Sequence, residues 1–171
     1  EPVGLTRAFM SCVPNTRECL HLPSWGLSPL HFTDDIYVSL NFEGQEVFKR
    51  AVKAMAQASE DVLEQAGMSL DDIKLVVPHQ ANKRILNALA KRIGIDEDKV
   101  FVNVHKYGNT SAGTIPVALT EALEEKRIEP GDHILMASFG AGLTYGASLI
   151  KWGERVVPLK SSDAKLQTGR P

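Results

Sequence analysis

Two junctions between strand-like and helix-like segments carry the residues with the clearest chemical meaning. In Val76-Val77-Pro78-His79-Gln80-Ala81-Asn82 a histidine follows an apolar β-branched run and precedes a helical pattern. In Tyr107-Gly108-Asn109-Thr110-Ser111 a carboxamide stands at a comparable junction. An imidazole N–H and a carboxamide N–H converging on one oxygen would stabilise a developing enolate or oxyanion. Such preorganised donors act on charge that appears only in the transition state, and one is commonly worth about 10²–10³ in rate. Taken singly, His79 also fits a capping or satisfied core histidine, and Asn109 a turn or N-cap residue.

The elements that must hold these residues follow from apolar period. Residues 1–35 have mixed character, with Pro14, Pro23 and Pro29 interrupting any long period, and are expected to be a loop-rich leading segment with short strands. Ile36 to Leu40 alternates as a half-buried strand does. Phe48, Val52, Met55, Val62 and Ala66 predict a helix over 44 to 66, with Gly67 as its C′ residue. Leu75-Val76-Val77 reads as a strand buried on both faces. Ile85, Leu86, Leu89, Ala90 and Ile93 predict a helix stopped at Gly94, and Val100-Phe101-Val102 a further strand. Residues 103 to 111 read as a polar loop. Ala112 to Leu123 is helical in period, with Pro116 either kinking its first turns or delaying its start. Pro130-Gly131-Asp132 is a turn, and Ile134–Phe139 and Leu143–Trp152 are strands joined by Gly140-Ala141-Gly142. Alternating strands and helices, closed by a strand pair, predict an α/β fold with a mixed sheet covered by helices. Ligands of open α/β sheets lie beyond the carboxyl ends of the strands, which selects the loops after Pro78, Val102 and Phe139.

The 171 residues are 43% hydrophobic and 23% charged, with formal net charge −2, a balance that excludes collagen-like and disordered classes. A chain this long buries roughly 70% of its unfolded surface and needs no metal or disulfide staple. Slight acidity disfavours nucleic acid or anionic lipid as a partner. Two cysteines, Cys12 and Cys19, suit a reducing, cytoplasmic setting. The uncharged run Ile134 to Ile150 is shorter than the ~20 residues of a spanning helix and is broken by glycines, so no membrane span is expected. No signal peptide pattern opens the chain, which begins at Glu1 rather than Met; a processed product or one half of something longer is expected. A metal site through Cys12, Cys19, His21 and His31 is weak because paired short spacings are lacking, and none is assigned. Gly140 to Gly146 departs from a dinucleotide loop, its last glycine one place late and strand rather than helix following.

Pro78-His79-Gln80-Ala81-Asn82, Tyr107-Gly108-Asn109-Thr110-Ser111 and Phe139-Gly140-Ala141-Gly142 together resemble the carboxy-terminal half of β-ketoacyl-acyl-carrier-protein synthase III, in order and spacing, from about Asn41 to Trp152. The resemblance implies a thiolase-like half-domain at residues 36–153; residues 154–171, polar and without an apolar period, are expected to be a disordered tail. It implies decarboxylative condensation of an acyl-CoA with malonyl-acyl carrier protein, initiating fatty acid synthesis. His79 and Asn109 would donate to the malonyl thioester oxygen and Phe139 would lie near the nucleophile. Gly44, Phe48, Ala81, Asn82 and Ile85 would line the phosphopantetheine tunnel, and Gln80, Lys83 and Arg84 would meet the acidic carrier. The thioesters are substrates and no cofactor is implied. The family's Gly-Gly-Gly is here Gly140-Ala141-Gly142. Neither cysteine has the setting of the family's acyl-accepting cysteine, which is therefore expected on an N-terminal half, with the full enzyme a homodimer.

Basic residues support a carrier surface independently. Lys83, Arg84, Lys91 and Arg92 recur at spacings of seven to eight, and Lys49, Arg50 and Lys53 add charge on the preceding helix. A solvated helix face is the plainer reading of the same charges. Two other functions fit the motifs: a non-catalytic module binding carrier protein or CoA, and a thiolase-like synthase of secondary metabolism.

Overall fold

A four-stranded mixed sheet organises the chain, of which the computed structural model describes residues 3–21 and 41–158. In chain order the elements are β1 (Gly4–Cys12), β2 (Leu20–His21), β3 (Asn41–Phe42), α1 (Gly44–Ala66), β4 (Leu75–Pro78), α2 (Lys83–Ile93), α3 (Val104–Tyr107), α4 (Thr114–Glu124), β5 (His133–Gly140) and β6 (Thr144–Lys151). The main sheet runs β1-β6-β5-β4, with β4 parallel to β5 and the other neighbours antiparallel. β2 and β3 form a separate two-residue ribbon. The strand expected at Ile36–Leu40 lies outside the described residues, as does His31.

Helices cover the sheet on both faces, as the apolar periods require. Ala58, Val62 and Leu63 of α1 pack with Val76, Leu135, Ala147 and Leu149 on one face. Ala118, Ala122 and Leu123 of α4 meet Leu75, Val77 and Ile134 on the other. All of β4 is buried, so its uninterrupted apolar run serves both layers. Full burial of one such aliphatic side chain contributes about 1.5–3 kcal/mol. α1 has its predicted limits and ends where Gly67 turns left-handed at φ 65°, its N–H reaching the Leu63 and Glu64 carbonyls.

Three expectations are corrected. The leading segment contributes a nine-residue strand, β1, rather than short strands alone; a register shift between Leu5 and Arg7 breaks the alternation and hides it from a period-two reading. Val100–Val102 is no full strand: Val100 makes one parallel bridge to Val76, and Phe101 N–H donates to the Val76 carbonyl (2.9 Å) before the chain leaves the sheet. The polar loop contains the one-turn helix α3. Pro116 falls in the first turn of α4, where amides have no intrahelical acceptor, and the helix starts at Thr114, later than the period from Ala112 predicts. Residues 154–158 of the expected tail continue from β6, with Val156 packed against the α4 cluster, and the rest lies outside the described residues.

Candidate active site

β4 delivers His79 to the carboxyl edge of the sheet. Its backbone N–H donates to the Ala137 carbonyl (2.8 Å), extending the parallel ladder one residue and fixing where the ring begins. The ring is half-buried, with Nδ1 2.6 Å from the Thr114 hydroxyl at the start of α4. Burial lowers its pKa, so the imidazole is neutral at pH 7 and carries one N–H.

Asn109 is exposed on the loop between α3 and α4, and its orientation is set locally. Ser111 N–H donates to Asn109 Oδ1 (2.9 Å), so the amide's Nδ2 donors face away from that bond. The loop has unusual backbone on both sides. Gly108 stands at φ 68° and ψ −161°, a region open to glycine, and Ser111 at φ 55°. Such conformations cost of order 1–3 kcal/mol in a non-glycine residue and collect at functional sites.

A cleft of about 1470 Å³ gathers these loops. His79 and Asn109 line it with Phe139, and Gly44, Phe48, Ala81, Asn82, Arg84 and Ile85 form further parts of its wall. Thus nearly every residue singled out from sequence converges on one cavity. Asn82 also caps α2, its side chain accepting from Arg84 N–H (2.8 Å). Arg84 lies over the Phe48 ring at 5.8 Å, joining a cation to the apolar mouth. Lys49 also lines the cleft, though its charge and that of Arg50 are partly offset by Glu46 at 3.3 and 3.4 Å. Lys83 is exposed but opens on a separate groove with Asn87 and His105. Cys12 is exposed, Cys19 is buried, and neither is among the cleft's lining residues.

Gln80 overturns its expected place on a carrier surface. It is 1% exposed. Its Nε2 donates to the Pro78 and Phe101 carbonyls (2.8 and 3.0 Å), and its Oε1 accepts from Asn103 N–H and Val104 N–H (2.9 and 3.2 Å). The carboxamide takes the Phe101 carbonyl and the two amides just beyond Val102, where the chain turns away from the sheet. Asn103 passes the connection on: its Nδ2 donates to Glu121 on α4 (2.8 Å), which also takes Lys106 Nζ (2.5 Å). The His79 and Asn109 loops are therefore tied to each other and to α4 by buried polar contacts. Sequence reasoning missed Thr114, Asn103 and Glu121, whose signal is only a polar residue within an apolar helical or strand period. It also missed Thr16, which donates to the Val13 carbonyl (2.7 Å), accepts from Leu143 N–H (2.9 Å) and so anchors the loop after Phe139.

This arrangement, with its cleft at the carboxyl ends of parallel β4 and β5, defines a thiolase-like half-domain. The family described as 3-oxoacyl-(acyl-carrier-protein) synthase III, C terminal, matches residues 63–152, and the chain belongs to it. β-Ketoacyl-(acyl-carrier-protein) synthase III 2 of Vibrio vulnificus is 53% identical over 97% of this chain and 46% of its own length. The solved synthase III of Thermus thermophilus aligns at TM-score 0.80 and 40% identity, covering 91% of this chain and 48% of that one. That of Aquifex aeolicus aligns at 0.78 and 41%, covering 89% and 46%. The chain spans about half the length of the relatives it matches.

Proposed function

We propose that this chain is the carboxy-terminal half of a β-ketoacyl-acyl-carrier-protein synthase III and supplies the oxyanion donors for its decarboxylative condensation. One observation carries the reading: His79 and Asn109, thirty residues apart, line the same cleft with Phe139. In the reaction, the malonyl carboxylate leaves as CO₂ and its bonding pair moves into the thioester to give an enolate. His79 Nε2–H and Asn109 Nδ2–H donate to that oxygen. The enolate carbon then attacks an acyl thioester on a cysteine of the other half, expelling the thiolate and leaving a 3-oxoacyl carrier product.

Phe139 gives the carboxylate an apolar surrounding, which favours its loss as neutral CO₂. Gly44, Phe48, Ala81, Asn82 and Ile85 flank the phosphopantetheine arm, and Arg84 meets the acidic carrier at the mouth. The substrates are an acyl-CoA and malonyl-carrier protein, with no further cofactor. The whole protein works as a homodimer in the cytoplasm. Among the described residues no helix is long and apolar enough to cross a membrane.

The test is malonyl-carrier decarboxylation by the whole two-half protein carrying His79→Ala or Asn109→Ala. Each should lose about 10²–10³ in rate, the worth of one donor, while circular dichroism stays native. Full decarboxylation by either variant refutes the role. Carrier binding without turnover in the parent protein would instead favour a binding module.

A further inference from the structure

A neutral imidazole can offer an oxygen either a proton or a lone pair, and which one it offers depends on the nitrogen it does not use. In this structure that nitrogen is Nδ1, held 2.6 Å from Thr114 Oγ1. Thr114 is 2% exposed, so water does not compete for its hydroxyl. The hydroxyl has one proton and two neighbours, His79 Nδ1 at 2.6 Å and the Ser111 carbonyl at 3.0 Å. The Ser111 carbonyl already accepts the backbone N–H of Thr114 itself.

Two arrangements satisfy these atoms. In the first, Thr114 O–H donates to Nδ1, and the ring proton sits on Nε2. In the second, Nδ1–H donates to Thr114, Thr114 O–H donates to the Ser111 carbonyl, and Nε2 is bare. Hydroxyl donors make the shorter bonds, about 2.7–2.8 Å against about 2.9–3.0 Å for N–H donors. The second arrangement would therefore place the short contact at Ser111 and the longer one at His79. The distances run the other way, and the Ser111 carbonyl already has the Thr114 N–H, which together favour the first arrangement.

We infer that Thr114 is a positioning residue whose hydroxyl holds His79 in its Nε2–H tautomer, so that the ring presents a donor rather than a lone pair to the cleft. The inference rests on the proposed role of His79 as an oxyanion donor and explains how a neutral ring serves it. Burial keeps the ring neutral, and Thr114 selects which neutral form is present. The contact also couples the site to α4: the helix that begins at Thr114 carries Glu121, which holds the segment leading to Asn109. One helix thereby sets the tautomer of the first donor and the placement of the second.

The tautomer can be read directly by long-range ¹H–¹⁵N correlation on the whole protein with ¹⁵N-labelled histidine, the His79 signals being assigned by their loss in His79→Ala. The expected wild-type spectrum has Nε2 protonated and Nδ1 unprotonated. Thr114→Val removes the hydroxyl at nearly constant volume. It should move population to the Nδ1–H form and lower kcat for malonyl-carrier decarboxylation about tenfold or more, within the worth of one donor, with KM unchanged. Thr114→Ser should restore both.

A wild-type spectrum with Nδ1 protonated, or a tautomer unchanged in Thr114→Val, overturns the inference. The wild-type spectrum decides this even if the valine variant fails to fold. A tautomer that shifts as stated while kcat stays constant would uphold the Thr114–His79 bond and refute the donor role of His79.

Discussion

Replacing Gln80 with leucine separates a structural role from a carrier-binding one. The side chain satisfies four backbone groups: the Pro78 and Phe101 carbonyls and the Asn103 and Val104 amides. Leucine is slightly larger, offers no polar atom and leaves no space for a replacing water. A buried group stranded in this way costs about 1–3 kcal/mol. Carbonyls tolerate loss better than amides, and leucine adds some apolar burial, so Gln80→Leu should destabilise the chain by about 3–5 kcal/mol. For a chain of this size each kcal/mol moves the midpoint about 2–4 °C, giving a fall of roughly 6–20 °C in Tm. Thermal and urea unfolding followed by circular dichroism would measure it, with binding of an acyl carrier protein determined in parallel below the new midpoint. Unchanged unfolding together with weakened carrier binding would refute the structural assignment and return Gln80 to the docking surface.

Three further outcomes follow from particular contacts. Burial raises the Glu121 carboxyl pKa, but hydrogen bonds from Lys106 and Asn103 outweigh it, so the net shift is downward. Its contribution is then complete above the ordinary carboxylate pKa of ~4.3 and lost as pH falls through the lowered native value. Glu121→Gln should lower stability at neutral pH and flatten that acid-side loss in denaturant unfolding; equal pH slopes would contradict the assignment. Gly146 faces β1 so closely that an added Cβ would stand 2.6 Å from the Phe9 carbonyl oxygen. Gly146→Ala should therefore displace β1, visible as faster amide hydrogen exchange across Gly4–Cys12, and unchanged protection there would show that the strand can yield. Arg84→Glu should weaken binding of an acidic carrier about tenfold at low salt, with the difference shrinking as salt rises. Salt-independent loss, or none, would remove Arg84 from that surface.

Local pattern was enough to read α1, β4, α2, β5 and β6, because each buries a stripe or run whose period shows in the residues themselves. The His79 and Asn109 motifs were legible for the same reason, as polar residues placed where apolar periods stop. β1 was hidden because a bulge breaks its alternation, and the Val100 segment misled because an apolar run does not reveal that a side chain, Gln80, will take the Phe101 carbonyl and the Asn103 amide.

The roles of Gln80, Thr114 and Glu121 belong to the tertiary structure. A glutamine beside a histidine reads equally well as surface or core, and only the packing of 78–80 against 101–104 decides it. Thr114 lies thirty-five residues from His79, and the proton it holds depends on two distances that exist only once α4 docks against β4. Periodicity specifies which face of an element is buried. The partner of a buried polar atom is specified by where a different element comes to rest.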